Sequence, residues 1–358
     1  RDQPRSRGLG DVYKRQKETN LPIKVYGAAR KDKEKLLASA SGGLFAVIAE
    51  KFIADGGLVF GAAMLRRNDK PYVEHILVEK KENLPEIYRS KYVQSNTADS
   101  FKSVKSLLES GKKVLYSGTP CQIAGLKGFL KKNYSNLYTV DIICHGVPSM
   151  DFFQSYIKHI ENKRNITITE YNFRDKSMGW GPVGSYTFID KNGNEHTKKI
   201  NFYDSSYYHM FINSQNYRQS CYNCKYTCSH RPGDITLGDY WGFSVKHPDA
   251  VISGGGKIDE KSGVSSVIVS TEKGKVLLDS VENEILLHES TFENAAALNP
   301  QLRKPCKKDN MYDDIMRIYS DGGYAMVEKF YAPVLRKKKL KQTIKKLVPK
   351  FLVKKLRK

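Results

Sequence analysis

The chain has 358 residues, 40% of them apolar, a mean hydropathy of −0.53 and a formal net charge of +22. Such a length buries ample core without help from a metal, and no run approaches the roughly 20 continuous apolar residues that a membrane span needs. Six cysteines in tight clusters, with no secretory signal, point to a reducing cytoplasm and away from a disulfide framework.

Residues 1–16, RDQPRSRGLGDVYKRQ, are polar and aperiodic and read as a non-native leader, so the chain is expected to be truncated at its N-terminus. A strand is predicted over 24–29. A helix should follow, with Leu44, Val47, Ile48, Phe52 and Ile53 on one apolar face, Ser41 as its N-cap and Gly56-Gly57 at its end. Strands are expected at 58–64 and 72–78, then a polar segment, SKYVQSNT, and a helix over 98–109.

The next unit reads strand, turn, helix. Thr119 suits an N-cap and Pro120 the first helical position, which puts Cys121 in the first turn. Free N–H groups and the helix dipole there favour a thiolate; the plainer alternative is a small buried cysteine. Residues 137–144 form another predicted strand, ending at Cys144, and Ser149 should cap a helix to about 160. If the two strands are parallel neighbours, Cys121 and Cys144 emerge at one sheet edge, where α/β sheets place their sites.

Beyond 165 the pattern turns to strands, with a type I′ hairpin expected at Asn192-Gly193. A short strand is expected at 234–237, a mobile loop at 254–263, a strand behind it, and helical sequence through 271–330. The fold class is therefore α/β to α+β: a mixed sheet with flanking helices, plus a β-rich C-terminal half. The expected divisions are 17–112, an N-terminal α/β part; 113–290, carrying the site; 291–335, a helical extension; and 336–358, a basic tail.

The loop after the hairpin, CYNCKYTC, carries Cys221, Cys224 and Cys228 within eight residues. A C-x-x-C turn aims two sulfurs to one side, but three thiols are one too few for a closed four-thiolate site. Cys121 and Cys144 would complete a four-thiolate set with Cys228 in reserve, and either Cys144 or Cys228 is the fourth ligand; the residues themselves do not separate zinc from an iron–sulfur cluster. Ser41-Gly42-Gly43 at a helix start could leave backbone N–H groups open to a phosphate. Lys91, Tyr92, Gln94 and Ser95 offer a cation, an aromatic face and polar groups in one loop, and Gly118-Thr119 adjoins Cys121. Gly238-Asp239-Tyr240-Trp241-Gly242 would let a flat ring approach backbone closely. For each of these, capping, a solvated connection or core packing is the ordinary alternative.

The tail from Arg336 to Lys358 holds twelve Lys/Arg and no acid. Leu340, Ile344, Leu347, Val348, Phe351 and Leu352 recur between the lysines, as in an interfacial amphipathic helix, although Pro349 would kink it. An anionic membrane surface is one expected partner, and a disordered solubilising tail or a basic landing strip for an acidic electron carrier are the alternatives; no nucleic-acid motif accompanies the charge.

SGGLF (41–45), KYVQS (91–95), GTPCQIAGL (118–126), DIICHGVPS (141–149) and CYNCKY…GDITLGDYWG (221–242) occur in one order. Together they resemble the beta-subunit family of coenzyme F420 hydrogenases and dehydrogenases, in its bacterial branch, over roughly residues 22–290. The resemblance implies a cytoplasmic flavoprotein oxidoreductase, peripheral at the inner membrane face if the tail docks there, with FAD and a 4Fe-4S cluster. It would pass electrons between a ferredoxin-like or deazaflavin carrier and an organic acceptor. It maps the cluster onto Cys121, Cys144, Cys221 and Cys224. It maps flavin contacts onto Ser41, Gly42, Gly43, Lys91, Tyr92, Gln94 and Ser95. Cys228 departs from that branch. A ferredoxin-like domain with C-x-x-C-x-x-C runs, frequent in relatives, is expected upstream of the truncation. Two rival readings are a zinc-stabilised module docking to a membrane or nucleic acid, and a thiol–disulfide oxidoreductase using Cys221 and Cys224.

Overall fold

The structure is a computed structural model and describes residues 21–347. The elements, in chain order, begin with β1 (Lys24–Arg30), α1 (Lys33–Ala38), α2 (Leu44–Ala54), β2 (Leu58–Arg67), β3 (Lys70–Val78) and α3 (Ser100–Glu109). Then come β4 (Val114–Gly118), α4 (Pro120–Leu130), β5 (Leu137–Ile142), α5 (Met150–Arg164), β6 (Thr167–Asn172), β7 (Val183–Ile189), β8 (Glu195–Asn201) and α6 (Ser206–Ile212). The chain continues through β9 (Ile235–Asp239), α7 (Phe243–Lys246), β10 (Ser265–Val269), α8 (Glu272–Asp279), β11 (Ile285–Ser290), α9 (Phe292–Ala296) and α10 (Tyr312–Leu347).

Eight strands form one mixed sheet in the order β11-β1-β10-β9-β5-β4-β2-β3, and β6–β7–β8 form a second, antiparallel sheet. At the centre of the large sheet, β2 pairs parallel with β4, β4 with β5, and β5 with β9. The expected parallel pairing of the strands before Cys121 and Cys144 is therefore present, in register from Val114↔Leu137 to Gly118↔Asp141. Along β4 the side chains alternate between two buried layers. Leu115 joins Val47, Ile48 and Phe52 of α2 on one face. Val114 and Tyr116 join Ile123, Leu126 and Leu130 of α4 on the other. A third core, rich in rings, fastens α5 and α10 to the small sheet through Phe152, Phe153, Tyr156, Tyr171, Tyr186, Tyr324 and Tyr331.

Several local expectations are corrected. Gly43, at φ 78°, is the N-cap of α2; Ser41, at φ 49°, instead turns its hydroxyl to the carbonyls of Val264 (2.9 Å) and Gly238 (3.2 Å). The hairpin is real, but β7 and β8 close at the Ile189–Glu195 pair, leaving the loop 190–194, in which Gly193 alone has a positive φ. This is a longer loop than a two-residue type I′ turn, tied by the Asp190 carboxylate to the N–H groups of Asn192 and Asn194. Residues 285–290, expected to be helical, form the edge strand β11, because β1 offers them its free side. α10 takes up the first part of the basic tail and bends at Gly322-Gly323, where Gly323 has φ 67°. The leader 1–16 and the end of the tail, including Val348, Pro349, Phe351 and Leu352, lie outside the described residues.

Candidate functional site

The C-terminal ends of β4, β5 and β9 emerge side by side because the three strands are parallel. That edge is where a doubly wound sheet leaves its crevice. Each strand delivers a candidate group there: Gly118 leads to Cys121, Ile142 to Cys144 and His145, and Asp239 to Trp241.

At β4 the predicted helix start holds. Thr119 and Gln122 form a capping box, with the Thr119 N–H on Gln122 Oε1 at 3.0 Å. Thr119 Oγ1 lies 3.1 Å from Cys121 Sγ, and the cysteine is exposed. Gln122 also reaches Ser95 Oγ at 2.9 Å, so the polar loop 90–97 lies against this turn. At β5, Cys144 follows the strand, and desolvation pushes its thiol well above the ordinary range although the Gly146 N–H partly offsets this. Gly146 has φ 127° and a Cβ there would come within 2.4 Å of the Tyr217 ring, so only glycine lets the segment lie this close.

The cysteine loop is brought to the same edge by backbone and by charge. The Arg218 N–H bonds the Val147 carbonyl at 2.9 Å. Arg231 donates to Asp141 at 2.7 and 3.2 Å and to the Tyr226 carbonyl at 2.6 Å, with both charged side chains buried. Cys121, Cys144, Cys221 and Cys224 consequently stand close enough to act on one another electrostatically, and burial raises the thiols of Cys221 and Cys224 as well. Cys228 is not drawn in: its thiol turns to the carbonyls of His230 (3.3 Å) and Lys225 (3.6 Å). Cys306, to which the sequence assigns no role, is drawn in. Its thiol donates to the His145 carbonyl at 2.9 Å, and it packs beside Cys221.

Among the described residues no three His, Cys, Asp or Glu side chains stand close enough to hold one metal ion. Tetrahedral zinc with metal–sulfur bonds of about 2.3 Å needs its sulfurs within about 4 Å of one another. Four thiolates that bind different iron atoms are likewise the usual ligands of an iron–sulfur cluster.

Beside this group lies a polar and aromatic one. Asp239 accepts from Arg174 Nη1 on Oδ2 and from the Trp180 indole N–H on Oδ1, each at 3.0 Å. Trp180 and Trp241 stack with centroids 4.5 Å apart and planes 5° from parallel. Arg174 also reaches the Tyr92 hydroxyl at 3.1 Å, and Tyr92 stacks on Phe211 at 4.3 Å. Lys176 Nζ donates to the carbonyls of Leu36 and Ser41, and burial lowers it to about 8. His145, next to Cys144, feels both Asp239 and Arg174, and burial holds its pKa below the ordinary value. The two groups therefore meet at Cys144–His145.

The remaining candidates are placed as follows. The Gly42 N–H goes to Ser265 Oγ at 2.9 Å and the Gly43 N–H to the Ala40 carbonyl at 2.9 Å, so both are taken within the protein. Gly42 serves close approach instead: a Cβ there would come within 2.2 Å of the Ala28 carbonyl. Lys91 Nζ donates to the carbonyls of Tyr88 (2.5 Å) and Glu86 (3.2 Å), and burial lowers its pKa to about 7. The Gln94 N–H bonds the Pro148 carbonyl at 3.0 Å, joining this loop to the segment after Cys144. Gly238 leaves room for Ile143, which a Cβ would meet at 2.7 Å. Arg174, Lys176, Trp180 and the Asp141–Arg231 pair are functional candidates that sequence reasoning missed. The one signal for the first three was the concentration of cations and a tryptophan between glycines in FRDKSMGWG, residues 173–181.

The family profile that describes the C terminus of the coenzyme F420 hydrogenase/dehydrogenase beta subunit matches residues 111–295, more than half of the chain. No curated protein matches the chain in sequence. Among solved structures, a chain of the F420-reducing NiFe hydrogenase complex from Methanosarcina barkeri is similar at 15% identity and a TM-score of 0.49, covering 85% of this chain and 94% of that one.

Proposed function

This chain belongs to the coenzyme F420 hydrogenase/dehydrogenase beta-subunit family and is an oxidoreductase of that type, and we propose that it holds a 4Fe-4S cluster and FAD at the sheet edge described above. The observation that carries the proposal is the convergence of Cys121, Cys144, Cys221 and Cys224 from three separate segments onto one edge. When bound, the cluster supplies single electrons and the flavin stores two for delivery to an organic acceptor.

The chain's own residues have three tasks in this reading. The four thiols are the cluster ligands, and Tyr217, Tyr222 and Cys306 close the protein side of that pocket against water. Cys121, exposed at the start of α4, leaves one side open to a docking electron carrier. A ferredoxin-like protein or domain is the partner we infer for that side. Tyr92, Gln94, Ser95, Ser41 and the Gly238-Asp239 end of β9 are the residues we assign to the flavin side. Arg174 and Lys176 contribute positive charge near Asp239, which suits a reduced, anionic ring.

The two rival readings make different demands. The zinc reading uses the same thiols and predicts a colourless protein. The thiol–disulfide reading uses only Cys221 and Cys224, and leaves the approach of Cys121 and Cys144 to them without a role. The test is anaerobic purification followed by a visible spectrum and assays for iron, sulfide, zinc and flavin. Four irons with acid-labile sulfide and one flavin per chain is the expected result; a colourless protein with stoichiometric zinc ends the proposal.

We further infer that the basic end of α10 lies against an anionic membrane surface. Leu340 is 62% exposed among lysines, and no helix of the described residues is long and apolar enough to cross a membrane. Deletion from Arg336 should abolish sedimentation with anionic vesicles; unchanged sedimentation removes the tail from that role.

A further inference from the structure

The chain contains two tryptophans, and they stack on each other. Their supports differ. Trp241 follows directly from β9, with Arg174 5.6 Å from its ring and the adjoining Asp239 carbonyl held by Asn299 Nδ2 at 3.0 Å. Trp180 sits on the irregular stretch between β6 and β7, flanked by Gly179 and Gly181, both in open space and Gly179 at φ 92°. Its backbone N–H bonds the Lys261 carbonyl at 3.1 Å, and its indole N–H bonds Asp239. Those two hydrogen bonds and one ring face contribute to holding it in place, and both indoles are only partly buried.

The Trp180 indole is itself a flat heteroaromatic ring. It lies on the face of Trp241 and directs an edge N–H to a carboxylate oxygen whose partner oxygen is already neutralised by Arg174. We propose that Trp241 and Asp239 form a platform for a planar heteroaromatic ring bearing an edge N–H, and that Trp180 is a displaceable cover occupying the platform until that ring takes its place. At the platform displacement exchanges like for like, a stacked ring and an N–H···O bond lost and the same two regained, while the Trp180 backbone N–H leaves the Lys261 carbonyl for water. The energetic cost of exposing Asp239 Oδ1 is therefore transient. Lys176 and Arg174, on the same stretch as Trp180, keep their bonds to the Ser41 carbonyl and to Asp239, so the cover swings at 177–182 without loosening its base.

The proposal rests on the oxidoreductase reading only for its purpose, an organic ring beside a redox centre. The ring chemistry has two sources, the isoalloxazine of resident FAD or the ring of a diffusible acceptor. Because Trp180 and Trp241 are the sole tryptophans, intrinsic tryptophan emission of the full chain reports this pair alone.

The probe is lumiflavin, with N3-methyllumiflavin as the analogue lacking the N–H, titrated with correction for absorbed light. Lumiflavin should quench saturably, and the N3-methyl analogue should bind on the order of tenfold more weakly. Trp241→Ala, read through Trp180, should weaken lumiflavin on the order of tenfold. Trp180→Ala, read through Trp241, should bind it as tightly as the parent or more tightly, because the cover is gone. Circular dichroism of each variant establishes that it is folded, and Trp241→Phe should restore most of the affinity. Lumiflavin binding indifferent to Trp241→Ala overturns the platform, and equal weakening by Trp180→Ala overturns the cover. Repeating the titration on FAD-loaded protein separates the sources: blocked binding assigns the platform to the resident flavin, retained binding to a diffusible acceptor. Iron and flavin assays on the same preparation keep the two proposals apart. Normal cofactor content without lumiflavin binding overturns only the platform, whereas lumiflavin binding to an iron-free preparation overturns only the cluster.

Discussion

Arg231 closes on Asp141 with Nη2–Oδ1 at 2.7 Å and Nε–Oδ1 at 3.2 Å, and neither side chain has more than 1% exposure. The pair joins the far side of the cysteine loop to β5, two elements 90 residues apart in the chain. Asp141 also accepts the Gly233 N–H at 2.8 Å, and Arg231 donates to the carbonyls of Tyr226 and Ile142. The carboxylate thus accepts from two guanidinium nitrogens and a backbone N–H, and further hydrogen bonds of this kind are what a buried pair needs to hold.

Removing one partner leaves the other charge buried and uncompensated. Asp141→Leu or Arg231→Met is expected to cost about 3–5 kcal/mol in urea unfolding. Iron content should fall as well, because Cys221 and Cys224 lose their anchor. Wild-type iron in a folded Arg231→Met protein would detach this pair from the site.

The cysteine series should divide by position. Cys121→Ser, Cys144→Ser, Cys221→Ser and Cys224→Ser are each expected to lose most of the iron and the visible absorption. Cys228→Ser should retain both, since its thiol faces the carbonyls of Lys225 and His230. Cys306→Ser should also retain iron, because a hydroxyl can still donate to the His145 carbonyl. Full iron after Cys121→Ser would take that residue out of the ligand set.

Gly42 tests close packing. A methyl group there would lie 2.2 Å from the Ala28 carbonyl oxygen and 2.6 Å from the Ser265 nitrogen, both backbone atoms that cannot rotate away. Gly42→Ala should therefore destabilise the protein by about 1–3 kcal/mol or more through overpacking. A melting temperature equal to the parent's would show that β1 and β10 yield at this point.

Lys91 gives a pH dependence with a definite sign. Burial lowers its pKa from 10.5 to about 7, so between those values the unfolded chain holds a proton that the folded chain releases. The unfolded state then binds more protons and stability rises with pH across that window. Below pH 7 both states are protonated and the group contributes no slope. Urea midpoints from about pH 6.5 to 10 should climb more steeply for the parent than for Lys91→Met. Parallel curves would refute the assignment.

Much of the frame was legible because it depends on neighbours in sequence. Thr119-Pro120 and Ser149 announced their helices through local capping chemistry, and the apolar runs at 114–118 and 137–142 announced buried strands. The expectation that Cys121 and Cys144 share an edge needed one further assumption, parallel pairing, which β4 and β5 satisfy. Ser41 escaped because its hydroxyl finds carbonyls roughly two hundred residues away, and the hairpin loop because Asp190 captures its N–H groups. β11 read as helix for a similar reason: a short apolar run becomes an edge strand only when another strand presents free backbone groups beside it.

Thiols, glycines and a capped helix start stand out along the chain as candidates because they are matters of residue type and spacing. Which of them meet is a property of the tertiary fold. Parallel strand ends brought Cys121, Cys144 and Asp239 to one edge, and a buried ion pair drew in Cys221 and Cys224 while Cys228 turned away. Trp180 reached Trp241 across about sixty residues because two loops cross at the end of β9. Such convergence depends on how the strands are ordered in the sheet, and contacts between distant segments leave no local pattern in the chain to be read.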